Sequence, residues 1–201
     1  MKNILCIFLV SVFTYYASCL PITPNSTSDY IKTSCQTTLY PKLCNKYLTK
    51  YAIKINGDPK LLATTALLVA FNTTCSTSDI LRNLTGNRAA LKPSETEAVA
   101  ECVEVVSDSV YELQRSMKEL NDSCKGPKFE FQMNDVLTWV SAALTDDDTC
   151  MDDFMTKGEM RSLVRGLVLR IARLTSIALA FIMAFSYEPT SPSISEVGIV
   201  E

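Results

Sequence analysis

NDVLTWVSAALTDDDTCMDDF, residues 134–154, decides how this chain folds. Met133, Leu137, Val140 and Leu144 recur at steps of three and four, the period of a helix with one apolar face. The helix then enters Thr145, Asp146, Asp147, Asp148 and Thr149 and meets a cysteine at Cys150. A helix that turns acidic and then carries a cysteine is expected to be pinned by its end to another helix. Which helix supplies the other sulfur is the first structural question.

Upstream, Val99, Cys102, Val106, Val110, Leu113, Met117 and Leu120 form the most regular stripe in the chain, spaced as in a bundle seam. Pro93 precedes it, and Ser94 to Glu97 has the form of a capping box. Glu97, Glu101, Glu104, Asp108, Glu112 and Glu119 occupy the outer faces, where a charge run is usually solvated. Asp58-Pro59 marks another helix start, because Asp caps free N–H groups and proline fits the first turn. That helix runs through Leu62, Ala66, Val69, Thr73, Ser76 and Ile80 to about Leu84, with Gly86 and Asn87 as terminators. The last long helix spans Glu159 to Tyr187, with Leu163, Leu167, Ile171, Leu174, Ala178, Phe181 and Phe185 on one stripe. Its apolar run from Leu174 is short and follows Arg161, Arg165, Arg170 and Arg173, which favours a helix buried on most sides over a membrane span. Four long helices with short connections give an all-α, up-down-up-down four-helix bundle.

Before them, Ser28 to Ala52 is interrupted by Pro41 and reads as a helical hairpin with Cys35 and Cys44 facing across the bend. Closing that small loop contributes roughly 2.7 kcal/mol in the chain-entropy model. Residues 1–19 have the form of a secretory signal: Lys2, then an apolar stretch from Ile4 to Tyr16 that is too short for a span, then small residues. Residues 20–27 read as a flexible leader, 28–187 as one helical domain, and 188–201 as a disordered tail. Secretion also suits the sequons at Asn25, Asn72, Asn83 and Asn121.

Removal of the signal leaves Cys35, Cys44, Cys75, Cys102, Cys124 and Cys150 in an oxidising compartment. In the bundle, Cys102 lies near the start of one helix and Cys150 near the end of the next, antiparallel one. That bond closes a loop of about 49 residues, worth roughly 4 kcal/mol. Cys75 competes for Cys102, because it too lies about a dozen residues from an intervening turn, and spacing leaves the choice open.

The chemistry that is missing narrows function. With no histidine, Ser-His-Asp and Cys-His arrangements and His-based zinc sites are excluded. The six glycines are scattered, so no phosphate loop exists, and a net charge of −3 gives no electrostatic case for nucleic acid. Asp146, Asp147, Asp148, Asp152 and Asp153 lack the ligand spacing and turn glycine of a calcium loop, so no metal or other cofactor is expected. Nothing singles out a pair of carboxylates with different environments, and the expectation is a protein that is not an enzyme.

Three stretches carry a resemblance: SCQTTLYPKLC from Ser34 to Cys44, AEC at residues 100–102 with the acidic helix after it, and WVSAALT from Trp139 through to Thr149-Cys150. Together they resemble the plant invertase/pectin methylesterase inhibitor family, over nearly all of the mature chain. The resemblance implies a hairpin-plus-bundle fold with disulfides Cys35–Cys44 and Cys102–Cys150, and so points to Cys150 over Cys75. It leaves Cys75 and Cys124 outside the shared set. WVSAALT and the acidic helix are similar to inhibitors of pectin methylesterase, whereas Pro127-Lys128-Phe129 is similar to a loop with which invertase inhibitors reach their target. The longer segments favour the esterase. The resemblance further implies a monomer that forms a one-to-one complex over the enzyme's substrate cleft in the cell wall space, with Glu104, Asp108, Thr149 and Asp152 on the contact surface. A secreted helical signalling ligand is the alternative from another class, since fold alone does not imply function.

Overall fold

Proline, aspartate and glycine punctuate the chain where the helices break. The structure, a computed structural model, describes residues 24–86, 92–153 and 159–187; the expected signal at 1–19 and tail at 188–201 lie outside them. Helices α1 (Pro24–Gln36) and α2 (Pro41–Leu48) form the hairpin, followed by a 3₁₀ turn at Thr49–Tyr51 and the short α3 (Ala52–Ile55). The bundle consists of α4 (Pro59–Gly86), α5 (Pro93–Asp122), α6 (Phe129–Asp153) and α7 (Glu159–Ser186). No strand occurs among the described residues. Helix α1 begins at Pro24, within the stretch read as leader, because proline is well suited to a first helical turn.

Between hairpin and bundle the chain reverses through Asn56 (φ 47°) and Gly57 (φ 76°). Both lie in the left-handed region, which asparagine and glycine tolerate best. Asp58 then caps α4: its Oδ1 accepts the Leu61 N–H at 2.8 Å. Asp58→Ala should lower unfolding stability by about 1 kcal/mol, read as an earlier urea midpoint with an unchanged slope. An unchanged midpoint would mean that Pro59 alone starts the helix. From the next turn, Lys60 Nζ donates to the Asn121 and Ser123 carbonyls, satisfying acceptors left open at the end of α5.

The four bundle helices form a square. Helix α4 packs on α5 and α7, and α6 packs on the same two. Their buried residues repeat at alternating three and four: Val99, Cys102, Val106, Ser109, Leu113, Ser116 and Leu120 on α5, and Met133, Val136, Val140, Ala143, Asp147 and Cys150 on α6. This corrects the stripes read from sequence. Val110, Leu137, Leu144 and Leu167 are only half-buried, and Leu163 and Ile80 are 47% and 40% exposed. A heptad-like seam must keep facing its partner, so it takes Ser109, Val136 and Ala143 ahead of bulkier neighbours that point to the flank. On α4 the seam passes through Thr74, Thr77, Ser78 and Leu81 rather than Thr73, Ser76 and Ile80. The α5 start is corrected too: Lys92 precedes the helix and its N–H donates to Glu95 Oε2 at 3.0 Å, so Glu95 takes the capping role expected of Glu97.

Helix α7 is long and apolar enough to cross a membrane by composition, yet half of its most apolar window is buried. Val164, Val168, Ile171, Leu174, Ala178, Phe181 and Phe185 point into the bundle. Disulfides join Cys35 to Cys44 and Cys102 to Cys150, while Cys75 and Cys124 are free thiols. Cys75 is half-buried, and burial followed by the nearby Asp79 charge pushes its thiol pKa up, away from reactivity.

Candidate partner-binding face

The Cys102–Cys150 bond fixes the level at which α5 and α6 meet, with 4.6 Å between the two Cα atoms. Glu104 follows Cys102 by two residues, and Thr149 and Asp152 flank Cys150. The staple therefore holds three of the four expected contact residues at one end of the bundle, and all three are exposed. Asp108, also exposed, lies one turn beyond Glu104 on the same stripe. The Thr149 hydroxyl donates to the Thr145 carbonyl at 2.9 Å, leaving its lone pairs for an incoming donor.

Along the outer α5/α6 seam a carboxylate cluster follows. The Asp146 pKa is raised by burial first, then by the negative charges of Asp108 and Glu112. Close like charges of this kind are a standing electrostatic debt that a cationic partner relieves. Beyond it, Arg115 Nη1 approaches Glu112 Oε2 at 3.8 Å, and its guanidinium lies 4.1 Å from the Trp139 ring centroid and 5.4 Å from that of Tyr111. Tyr111 is 57% exposed. Helix α5 supplies the stripe 104, 108, 111, 115 and α6 the stripe 139, 142, 146, 149, so two rigid rods carry acid, aromatic ring and guanidinium in fixed order.

The alternative residues fall elsewhere. Pro127 and Lys128 are exposed in the α5–α6 loop, about 30 Å from Thr149 along α6 at 1.5 Å per residue. Phe129 is 9% exposed and packs edge-to-face on Phe185 with ring centroids 5.4 Å apart. Lys125 covers both rings at 4.3 and 4.9 Å and donates to the Phe185 carbonyl, so this loop is fastened to the end of α7. Of the three, Phe129 is committed to the core. Asn72 and Asn83 are exposed on α4 and Asn121 at the end of α5; the Asn25 side chain lies outside the described residues. Among the described residues no three His, Cys, Asp or Glu side chains converge as a metal site.

Sequence reasoning missed Glu112, Arg115, Trp139 and Asp146 as members of this face. The signals were a lone arginine amid acids and the chain's only tryptophan. Comparison with known proteins agrees with the fold. The model of the plant invertase/pectin methylesterase inhibitor family matches residues 29–181. Pectinesterase inhibitor 10 of Arabidopsis thaliana is 47% identical over 162 residues, 79% of this chain and 51% of that protein. The chain thus spans about half the length of that relative. Pectinesterase inhibitor 9 of the same plant is 36% identical over 194 residues, covering 92% and 95%. The crystal structure of mutant form A of a pectin methylesterase inhibitor from Arabidopsis overlays with a TM-score of 0.62 at 24% identity, across 76% of this chain and 95% of that one.

Proposed function

Because the chain belongs to the plant invertase/pectin methylesterase inhibitor family, we propose that it is a secreted protein that inhibits pectin methylesterase by laying its α5/α6 face over the enzyme's substrate cleft in a one-to-one complex. The observation that carries this reading is the stapled acidic seam: Glu104, Asp108, Glu112 and Asp146 are presented by two helices locked together by Cys102–Cys150. A cleft that holds a polymer of partly anionic sugars suits such a face, because carboxylates on rigid rods imitate the polymer without its ordering cost. A standard interface of about 1,600 Å² fits one bundle face. Secretion follows the leader-like residues 1–19, the sequons and the two disulfides, which persist in oxidising compartments.

The test is a titration of the oxidised protein into a pectin methylesterase and, separately, into an invertase. Esterase activity should fall linearly and break at an equimolar ratio. Glu104→Lys combined with Thr149→Ala should weaken that inhibition by about tenfold or more with unchanged helicity, because both substitutions remove hydrogen-bonding partners from a desolvated patch. Lys128→Ala should leave it intact. Inhibition of invertase alone, abolished by Lys128→Ala, would transfer the function to the opposite end of the bundle. Full activity of both enzymes at large excess would remove the inhibitor reading and favour a ligand for a receptor.

A further inference from the structure

We infer that Asp147 is a proton-operated pin: with its proton it ties α6 to α5 through Ser109 inside the bundle, and on losing that proton it loosens the helix pair that carries the acidic face.

The position comes first. Buried apolar side chains form two clusters, one around the hairpin end and one around Cys102–Cys150. On α4 the last hairpin-end member is Ala70 and the other cluster has Leu81; the buried residues between are Thr74, Thr77 and Ser78. On α5 the members are Leu113 and Val106, with Ser109 between them, and on α6 they are Ala143 and Cys150, with Asp147 between. Three helices thus contribute hydroxyls and one carboxyl to a polar layer across the core, where Ser109 and Asp147 are both 0% exposed.

The hydrogen bonds then favour a protonated carboxyl. Ser109 Oγ lies 2.9 Å from the Ala143 carbonyl oxygen and 3.0 Å from Asp147 Oδ1. A hydroxyl has one proton, and a carbonyl only accepts. If Ser109 donates to Ala143, the contact with Asp147 needs a proton from the carboxyl. A protonated Asp147 donates to Ser109 Oγ and satisfies the chain of three groups; a carboxylate leaves two acceptors competing for one proton. Asp147 Oδ2 has no hydrogen-bond partner among the described residues, which a buried carboxylate tolerates poorly.

Surrounding charges act in the same direction. Asp146 and Asp148 flank Asp147 on its own helix, and α5 brings Asp108 and Glu112 against Asp146. From α4 the layer receives Thr74, Thr77 and Ser78, while Asp79 and Arg82 are exposed; on α7 Val168 and Ile171 are buried, while Arg165 and Arg170 are exposed. Burial pushes the Asp147 pKa up, a Ser109 hydroxyl turned to donate to the carboxylate would pull it down by less, and the two neighbouring aspartates raise it further, to about 8. An unfolded aspartate releases its proton near pH 3.9. Between these values only the folded chain holds the proton, so stability from this group is complete at acid pH. It is lost at about tenfold in the folding equilibrium per pH unit until the folded group itself ionises.

Urea unfolding of the intact, oxidised protein and of Asp147→Asn, from pH 5 to 8.5, reads this directly. Carboxylates shared by both proteins cancel in the difference. Asp147→Asn keeps a donor for Ser109 and cannot ionise, so its stability should gain on wild type by about tenfold in the folding equilibrium per pH unit up to the folded pKa. Parallel curves would overturn the inference. The carbon-13 shift of the wild-type Asp147 carboxyl needs no variant: a proton kept past pH 6 supports the pin, and ordinary titration near pH 4 overturns it. Neither readout depends on the identity of the partner enzyme.

Discussion

Replacing Cys102 and Cys150 together by alanine should lower the unfolding free energy by about 4 kcal/mol, from the entropy released to a loop of 48 residues in sequence separation. Alanine keeps both sites apolar, so the loss reports the cross-link more than the burial. The cluster around this bond is the smaller of the two, with nine buried side chains against twenty-four at the hairpin end among the described residues. It therefore has less apolar area with which to hold α5 and α6 once the bond is gone. A domain of this size has about 5–15 kcal/mol in total, so the loss would be roughly a quarter or more of the whole. The Cys35–Cys44 pair closes a separation of only 9 residues, and its removal should cost about 2.7 kcal/mol in the same account. Denaturant titration with circular dichroism decides the order. If the hairpin pair mattered more, or the Cys102–Cys150 variant lost under about 1 kcal/mol, the polar layer and loop contacts, not the staple, would be what aligns the two helices.

The four helices and their order were readable because three-and-four spacing survives any uncertainty about which flank faces inward. The facing itself was misread wherever size and register disagreed. Leu137 and Leu144 are larger than Val136 and Ala143, yet the smaller pair lies on the line through Met133, Val140 and Cys150 that α5 and α7 cover. Asp147 was read only as one member of an acidic run that lacks the spacing of a calcium loop. Three consecutive residues on a helix span about 200° of its circumference, so Asp146, Asp147 and Asp148 could not all face water beside a buried Cys150. That much was legible. The grouping of Arg115 with Trp139 was not, because it depends on the stagger of two helices and no local pattern encodes stagger. Spacing likewise left Cys75 and Cys150 as rivals for Cys102; the resemblance pointed to Cys150, and the structure pairs it so. For the Pro127-Lys128-Phe129 loop the limit was burial: the resemblance picks out three residues, and only packing against Phe185 reveals that the third is internal.

Trp139→Ala should weaken inhibition of pectin methylesterase by about a hundredfold, the scale expected when a half-buried tryptophan near the centre of an interface is truncated. Its indole holds the Arg115 guanidinium at 4.1 Å, and Arg115 in turn lies 3.8 Å from Glu112 and beside Tyr111. Truncation therefore removes contact area, and it also frees a cation on the rim of the carboxylate cluster. A freed Arg115 can swing toward Asp108 and Asp146 and neutralise the field that the cluster offers a cationic cleft. Trp139→Phe should retain most of the inhibition, because a phenyl face still supports the guanidinium. The kinetics separate this effect from simple charge loss. Trp139→Ala should act mainly by speeding dissociation, whereas Asp108→Lys should slow association, with an effect that shrinks as salt is raised. Surface plasmon resonance at two ionic strengths measures both. Inhibition by Trp139→Ala as tight as wild type, with the unfolding midpoint unchanged, would move the contact surface away from the α5/α6 seam and toward the free faces of α4 and α7.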